Sequence, residues 1–425
     1  MDRRGFLQTV GALGAVSTVM APDARAEEPR KPLKLDRHTH YYPEAYFQKI
    51  RDTPGEFTFD KDPTGRTIIK YRGARFFGIQ PPMTDPVRRL ADMDRVGIDV
   101  EVVSLSTPNV FFADEKTQPE VARMVNDAYA DLVARHPGRF KAFASIPMDA
   151  PDEALRELDR ALGSLKLNGV ILLSNIRGRA LTAPVYRPFF AEANRRKLCI
   201  LLHPMLPANP EAYGEYVLGP IIGFPCDTTL AVARMCYDGL LKDFPDIRWI
   251  IAHLGGAVPY LMERMDNGFR DFAECKVKID QLPSTYLKRL YYDTVTFSPY
   301  VLNMARDLVG VDHLVMGSDY PHLLGSGPSA RSRRSPSPRP RRSGSSAGRR
   351  FRYSTTSSRV QEGPCPFGRS RVSWSWPWPP RPVPPPSLPA RPCARPSSRT
   401  TPSASGRRAS RPASRSPCTA TITAA

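Results

Sequence analysis

Eight short apolar segments, each followed by a helical pattern, constrain the fold of this chain more than any other feature. They are predicted as strands at residues 33–40, 100–105, 140–146, 169–173, 199–203, 249–253, 289–292 and 313–319. Continuous apolar runs of this length, bounded by turn residues, are typical of parallel strands that are buried on both faces. Strict alternation of eight strands with helices within about 300 residues predicts an α/β fold of the (β/α)8 TIM-barrel type rather than an open sheet.

Two departures from a regular barrel are predicted. Residues 57–59 and 67–71 flank a turn that contains Pro63 and Gly65, which predicts a β-hairpin inserted after the first strand. After the eighth strand the alternation stops, and no pattern for an eighth helix is found. The sequence therefore predicts that the last helix is missing and is replaced by a tail without regular structure.

Metal-ligand side chains stand where several predicted strands end. His38 and His40 are two residues apart on the first strand, so both imidazoles point to the same side of the sheet. His203 ends the fifth strand and Asp319 ends the eighth. The carboxyl ends of the strands are where a barrel of this type places its chemistry. Three imidazoles and one carboxylate form a ligand set suited to Zn²⁺ or another divalent ion.

The basic charge of the chain is confined to its last hundred residues. Residues 328–425 contain 20 Arg, no Lys and one acidic residue, Glu362, whereas residues 1–327 contain equal numbers of basic and acidic side chains. The high net charge therefore does not indicate a nucleic-acid partner for the folded region. Residues 328–425 also hold 19 of the 45 prolines, and such a composition predicts disorder.

Two interpretations of the tail are open. The mixture of Arg, Pro, Ser and Ala is what a GC-rich gene gives in a shifted reading frame, which favours a frameshift or gene-model error after about Gly325. The alternative is a nucleic-acid-binding tail on an inactive barrel. Arg–Ser pairs would contact phosphates, and the indole rings of Trp374, Trp376 and Trp378 would stack on bases.

The first 26 residues have the pattern of an export signal. Arg3 and Arg4 precede an apolar run over residues 7–21, and Ala24-Arg25-Ala26 supplies a cleavage site. The run is shorter than the ~20 residues that a membrane span needs. The pattern predicts a twin-arginine signal at 1–26, a folded domain at 27–327, and export to the periplasm or the exterior; a frayed amphipathic helix is the alternative. Seven scattered cysteines indicate no disulfide framework.

Several of these segments together resemble the amidohydrolase superfamily, and within it the branch of aminocarboxymuconate-semialdehyde decarboxylase. The resemblance covers residues 33–322. It is carried by Leu35-Asp36-Arg37-His38-Thr39-His40, by Asp92-Met93-Asp94-Arg95-Val96-Gly97-Ile98-Asp99, by Leu202-His203-Pro204, by Ala252-His253-Leu254-Gly255-Gly256-Ala257 and by Gly317-Ser318-Asp319-Tyr320-Pro321.

The resemblance implies a role for particular residues. One divalent ion, with Zn²⁺ favoured and Mn²⁺ the alternative, would be held by His38, His40, His203 and Asp319. His253 would act beside the metal as base or hydrogen-bond partner, with Asp319 also taking part in catalysis. Arg264 would bind a substrate carboxylate, in the family often across a dimer interface.

Two positions bear on the metal number and the substrate. Relatives with two metals need a carboxylated lysine at the end of the fourth strand, where this chain has Ser174 and Asn175, so a single metal is expected. The second substrate arginine of the decarboxylase falls near Gln80, so that Arg72 or Arg75 would have to replace it.

The implied function is non-oxidative decarboxylation of a small unsaturated or aromatic carboxylic acid. Hydrolysis of a small ester, lactone or amide at the same metal is the alternative, because both reactions use the same ligands. The expected partners are a small carboxylate substrate and a second copy of the chain. Neither a membrane nor a nucleic acid is expected as a partner of the folded domain.

Overall fold

The computed structural model of the protein describes residues 33–322. The predicted signal at 1–26 and the predicted tail at 328–425 lie outside the described residues. The prediction that an eighth helix is missing also concerns residues after His322, outside this range. Within residues 33–322, no helix is long and apolar enough to cross a lipid bilayer.

Strands and helices alternate along most of the described chain. The strands are β1 (Leu35–His40), β2 (Phe57–Lys61), β3 (Thr67–Tyr71), β4 (Ala74–Gly78), β5 (Val100–Ser104), β6 (Phe140–Ala142), β7 (Ala144–Ser145), β8 (Val170–Leu173), β9 (Asn175–Ile176), β10 (Arg179–Ala180), β11 (Cys199–His203), β12 (Arg248–Ile251), β13 (Tyr291–Asp293) and β14 (Leu314–Val315). The α-helices are α1 (Glu44–Asp52), α2 (Pro86–Val96), α3 (Gln118–Arg135), α4 (Pro151–Asp159), α5 (Arg187–Arg195), α6 (Phe224–Tyr237), α7 (Leu240–Asp243), α8 (Val258–Asp271), α9 (Pro283–Leu287) and α10 (Pro299–Val309).

The fold is α/β with parallel sheets. One sheet has six strands in the order β14-β13-β12-β11-β8-β7, and the other has three in the order β1-β5-β6. Every pairing in both sheets is parallel. Each of the eight segments that the sequence predicts as a strand overlaps a strand of these sheets, and the third segment overlaps two, β6 and β7.

The two sheets adjoin at both edges. Only Phe143 separates β6 from β7, and its amide donates to the carbonyl of Val103 at 2.9 Å. At the other edge, the amide of Arg37 donates to Met316 O at 2.9 Å, and the amide of Asp319 donates to His38 O at 2.8 Å. The strand that carries two predicted ligands is thereby bonded to the segment that carries a third.

Apolar side chains pack on both faces of the strands. A large core lies between the strands and the helices, and the side chains of Ile200 and Leu202 belong to it. A separate, smaller cluster receives the alternate residues of successive strands: Val102, Phe143, Ile171, Leu201, Ile250 and Ala252. Because successive side chains of a strand point to opposite faces, this division explains why the strands read as continuous apolar runs.

An antiparallel sheet follows α1. β2 pairs with β3 from Phe57↔Tyr71 to Lys61↔Thr67, and β3 pairs with β4, a third strand that the sequence did not predict. The α2 helix then begins as its sequence indicates, because Asp85 Oδ1 accepts hydrogen bonds from the amides of Val87 and Arg88 at 2.9 and 3.1 Å.

Candidate metal centre and active site

Four buried side chains meet at the carboxyl ends of three strands. His38 and His40 lie on β1, His203 ends β11, and Asp319 follows β14. One potential ligand atom from each of the four lies within 4.8 Å of the others. The sequence therefore predicted the members of this cluster correctly, even though the chain separates them widely.

Hydrogen bonds at the outer nitrogen of each imidazole fix its orientation. His38 Nδ1 lies 2.5 Å from Asp293 Oδ2, and His203 Nδ1 lies 3.0 Å from the carbonyl of Pro204. Since both partners are acceptors, these Nδ1 atoms carry the proton. His40 Nδ1 lies 3.2 Å from Ser104 Oγ, whose own proton goes to Thr39 O. All three Nε2 atoms are thus unprotonated, and that of His203 lies 3.5 Å from Ser106 Oγ.

The free lone pairs face each other and a carboxylate. His38 Nε2 and His40 Nε2 are 3.0 Å apart, and Asp319 Oδ1 lies 3.4 and 3.1 Å from them. Asp319 Oδ1 is buried without a hydrogen-bond partner. Such a convergence of acceptors is unfavourable unless a cation neutralises it. The residues present therefore fit a divalent metal ion with nitrogen and oxygen ligands.

The surroundings keep His40 and His203 neutral and Asp319 anionic, whereas the hydrogen bond and charge of Asp293 outweigh burial and raise the pKa of His38. Removal from water lowers the pKa of His40 to about 3 and holds the pKa of His203 well below its usual value. Burial opposes ionisation of Asp319, but the neighbouring imidazoles of His253 and His40 outweigh it and hold the pKa of this carboxyl well below its usual range. Neutral imidazoles and an anionic carboxylate are the forms that coordinate a metal.

His253 lies beside this cluster without belonging to it. Its Nε2 is 3.5 Å from Asp319 Oδ2, the oxygen on the far side of the carboxylate from Oδ1. Both His253 and Asp319 have left-handed backbone conformations, with φ of 54° and 57°. Non-glycine residues in this region cost conformational energy and are concentrated at functional sites.

Two neighbours of the cluster were not predicted from the sequence. Asp293 ends β13 and bonds to His38, but the apolar pattern of that segment ends at Tyr292. The ring of His322 lies 5.1 Å from that of His40, and its Nε2 is 2.7 Å from the hydroxyl of Tyr42. The only sequence signal for either residue is a titratable side chain at or just after a strand end.

The predicted substrate-binding residue has no contact with the four ligands within residues 33–322. Arg264 is exposed on α8, and no hydrogen bond or ion pair joins it to another residue of the described range. The role of His253 and Arg264 stays a prediction.

At the end of β8, Ser174 and Asn175 both donate to the carboxylate of Asp227.

An open cavity of about 310 Å³ lies next to the strand that carries His203. Leu173, which lines it, is the register partner of His203, and Met205 follows His203 by two residues. The other walls include Arg72, Arg177 and the rings of Phe57, Tyr71, Phe111 and Phe112. Of the two candidate arginines, Arg72 lines the cavity, where its Nε donates to Glu56 at 2.6 Å, whereas Arg75 lies 3.6 Å from Asp62 and is not among the lining residues. Gln80 instead donates to Pro321 O at 2.9 Å.

The chain belongs to the amidohydrolase family. The family model described as Amidohydrolase matches residues 35–334, a range that includes every ligand of the cluster. This match confirms the superfamily that the sequence motifs indicate.

Relatives of this chain include decarboxylases. The chain is 27% identical over 298 residues to 2-amino-3-carboxymuconate-6-semialdehyde decarboxylase of Dictyostelium discoideum, covering 69% of this chain and 83% of that protein. It is 35% identical over 190 residues to gamma-resorcylate decarboxylase of Rhizobium radiobacter, covering 42% of this chain and 58% of that protein. The predicted branch of the superfamily is thereby confirmed.

Solved structures of similar fold include further decarboxylases. The apo form of IDCase from Metarhizium anisopliae has a TM-score of 0.63 at 27% identity, covering 68% of this chain and 85% of that chain. A dihydroxybenzoic acid decarboxylase from Polaromonas, with bound manganese and the inhibitor 2-nitroresorcinol, has a TM-score of 0.57 at 26% identity, covering 69% of this chain and 87% of that chain.

Proposed function

We propose that this protein is a metal-dependent, non-oxidative decarboxylase of a small aromatic or unsaturated carboxylic acid. The observation that carries the proposal is the approach of His38 and His40 Nε2 to Asp319 Oδ1, with a ligand atom of His203 within 4.8 Å and His253 beside the other carboxylate oxygen. The decarboxylase activity of the relatives favours this reaction over the other chemistry that such a site could support.

In this reaction the bond between a carbon atom and its carboxylate breaks, CO₂ leaves, and a proton takes its place on the carbon. When bound, the divalent ion supplies a positive charge that polarises a substrate oxygen. His253 Nε2 is the group that would hold and deliver the proton, because it is the partly exposed imidazole beside the cluster. Asp319 Oδ2 lies 3.5 Å away and would keep that imidazole oriented.

The cavity beside His203 supports an aromatic or unsaturated substrate. Its aromatic walls offer flat apolar contact to a conjugated body. Arg177, and the N–H groups of Arg72 other than the Nε–H that Glu56 accepts, offer charge-assisted hydrogen bonds to an anionic substituent. Leu173 is the register partner of His203, and Met205 follows His203 by two residues, which supports use of this cavity by a substrate of the metal site.

We also propose the metal and its number. One ion fits the four ligands, and Ser174 and Asn175 at the end of β8 are occupied by Asp227. Zinc is favoured because three nitrogens and one oxygen are a common zinc set, while the manganese in the Polaromonas relative supports the alternative. Elemental analysis of the protein purified without added metal, followed by reconstitution with each ion, distinguishes them.

We propose a homodimer in which Arg264 serves the site of the partner subunit. Support comes from the exposed position of Arg264 on α8 without a hydrogen bond or ion pair to residues 33–322. Mixing an Arg264→Ala chain with a His253→Ala chain tests this. Turnover in the mixture above that of either variant alone is expected, and two inactive variants that do not complement each other would contradict it.

Two further proposals concern the whole chain. The two parallel sheets adjoin at Phe143 and at the hydrogen bonds between β1 and residues 316–320, which supports a closed (β/α)8 barrel.

The segment with Arg3, Arg4 and the site at Ala24-Arg25-Ala26 supports twin-arginine export. Amino-terminal sequencing of protein recovered from the periplasm or medium tests export, with Glu27 as the expected first residue.

Measured CO₂ tests the proposed reaction. We expect metal-dependent CO₂ release from at least one acid in a panel of hydroxybenzoic and muconic acids, and its loss in His253→Ala. Asp266→Asn is the matched control, because Asp266 is buried on α8 and accepts a hydrogen bond from the Ser284 amide, away from the ligands. Turnover of esters, lactones or amides without CO₂ release from any acid would establish the hydrolytic alternative.

A further inference from the structure

Asp293 joins the metal cluster to His253 although it is not one of the four converging ligands. It is the last residue of β13 and is fully buried. Its Oδ2 accepts from His38 Nδ1 at 2.5 Å and from the amide of His253 at 3.0 Å. Its Oδ1 accepts from the amides of Leu254 and Val295 at 2.9 and 3.0 Å. Each oxygen therefore has two donors, and the carboxylate is saturated within the protein.

The bond to His38 decides which nitrogen faces the cluster. With the proton held on Nδ1 by a carboxylate that can only accept, Nε2 has its lone pair free, 3.4 Å from Asp319 Oδ1. Without this acceptor, the proton could move to Nε2, where it would point at the other ligands. Hydrogen bonds of this kind also raise the basicity of a metal-binding imidazole.

The two bonds to residues 253 and 254 hold a strained turn. His253 and Leu254 each have φ of 54°, a conformation that persists only where the surroundings enforce it. Asp293 accepts from both of their amides, one through each oxygen. The direction in which the His253 side chain leaves this turn therefore depends on the same carboxylate that orients His38.

We propose that Asp293 is a positioning residue that sets the geometry of the metal ligand His38 and of the proton-handling His253 together. The expected effect on kcat rests on the proposed function. The expected effect on metal affinity can be measured without a known substrate. Asp293 touches neither substrate nor metal in this proposal and acts through the two histidines.

The variant Asp293→Asn keeps the volume of the side chain and replaces one acceptor oxygen by a donor group. If the amide oxygen keeps the bonds to Leu254 and Val295, the NH₂ group faces His38 Nδ1 and the His253 amide. We expect the metal affinity, measured by competition with a chromophoric chelator, to fall about 10–100-fold. At saturating metal we expect kcat to remain at least about tenfold below that of the parent protein, with KM within about twofold of the parent value. A fall in kcat without a change in KM is what the loss of an interaction made only in the transition state produces.

A double-variant cycle and a matched control separate positioning from general destabilisation. In His253→Gln, adding Asp293→Asn should lower metal affinity as before and leave kcat without a further fall, since the kinetic effect acts through His253. Asp266→Asn removes a carboxylate that is also buried and also accepts from a backbone amide, so it should lower the melting temperature and leave metal affinity unchanged.

Three results would overturn the proposal. One is metal affinity in Asp293→Asn equal to that of Asp266→Asn, and another is an additive loss of kcat in the double variant. The third comes from a measurement that leaves Asp293 unchanged. Long-range ¹H–¹⁵N spectra of the full chain labelled at histidine report which ring nitrogen of His38 is protonated, with the His38 signal assigned by its loss in His38→Asn. We expect the proton on Nδ1. A proton on Nε2 would contradict the inference even if Asp293→Asn failed to fold. Intact metal effects without any CO₂ release would instead count only against the proposed function.

Discussion

At the residue scale, the histidines of the site divide into two kinds by what their nitrogens contact. His38, His40 and His203 each hold Nδ1 in a hydrogen bond and direct Nε2 to the cluster. His253 Nδ1 has no hydrogen-bond partner among the described residues, and its Nε2 faces Asp319 Oδ2. Only the first kind has the arrangement of an oriented metal ligand.

This division predicts different losses on truncation. His203→Ala or Asp319→Ala should purify without stoichiometric metal, because three ligands from a set of four bind a divalent ion much more weakly. His253→Ala should retain the metal and lose about 10²–10⁴-fold in turnover, the usual contribution of a general acid or base. Elemental analysis and CO₂ assays of the same preparations provide the measurement. A His253→Ala protein without metal would show that His253 is a ligand.

The inserted sheet offers a second comparison between single residues. Arg72, in the turn after β3, lines the cavity and donates to Glu56 at 2.6 Å, whereas Arg75, within β4, lies 3.6 Å from Asp62. Arg72→Ala should raise KM for an anionic substrate about 10–100-fold with little change in kcat, as expected for the loss of one hydrogen bond to a charged group. Arg75→Ala is the matched control and should have near-normal KM. Equal KM values for the two variants would exclude Arg72 from substrate binding.

The sequence revealed the ligands but not their supports, for a physical reason. His38, His40, His203 and Asp319 stand at the ends of apolar runs, so local patterns mark them. The partner of His38 is Asp293, 255 residues further along the chain, and no local pattern links the two. Contacts of this kind follow from how the strands are arranged in space, which depends on the whole fold.

At the element scale, the parallel strands could be predicted because each is buried on both faces and reads as one apolar run. The short strand β4 was missed, since Arg75 interrupts a run that is only five residues long. The five-residue helix α9 was missed as well. It is too short for a periodic pattern, which needs about two to three helical turns to be recognised.

Close packing between strand ends gives a prediction at this scale. A Cβ atom on Gly317 would lie 2.8 Å from the Cβ of His38 and 3.0 Å from that of Asp293. Gly317→Ala should therefore push β1 and β13 away from the segment before Asp319, and we expect a loss of about 1–3 kcal/mol in stability together with weaker metal binding. Denaturant unfolding and chelator competition measure the two effects. Gly55→Ala, where nothing lies within 4 Å of the new Cβ, should change neither.

A buried ion pair connects α2 to the same region. Arg89 Nε donates to Glu101 at 2.5 Å, and Arg89 Nη1 donates to the carbonyl of His40 at 2.8 Å. Arg89→Met would leave Glu101 buried without its partner and should cost about 3–5 kcal/mol. Replacing Glu101 by Leu in the same protein should recover part of this loss, measured as the free energy of unfolding. No recovery would show that the bonds of Arg89 to backbone carbonyls, rather than the ion pair, dominate.

At the scale of the whole molecule, the metal ligands come from three distant parts of the chain. Residues 38 and 40 lie near the start of the described range, residue 203 in its middle, and residue 319 at its end. A bound ion therefore joins β1, β11 and the segment after β14 in the native state only. In the unfolded chain these ligands are far apart, so metal binding should stabilise the folded form selectively.

Metal removal should accordingly lower the melting temperature of the whole described domain. At a free metal concentration of 100 Kd, a ligand that binds only the native state contributes about 2.7 kcal/mol, which corresponds to a few degrees for a domain of this size. Thermal melts with and without a chelator measure this shift, and readdition of Zn²⁺ should reverse it. The variant His203→Ala should melt at the same temperature in both conditions, because its site no longer binds the ion tightly. A chelator shift of equal size in His203→Ala would mean that the stabilising metal binds elsewhere in the chain.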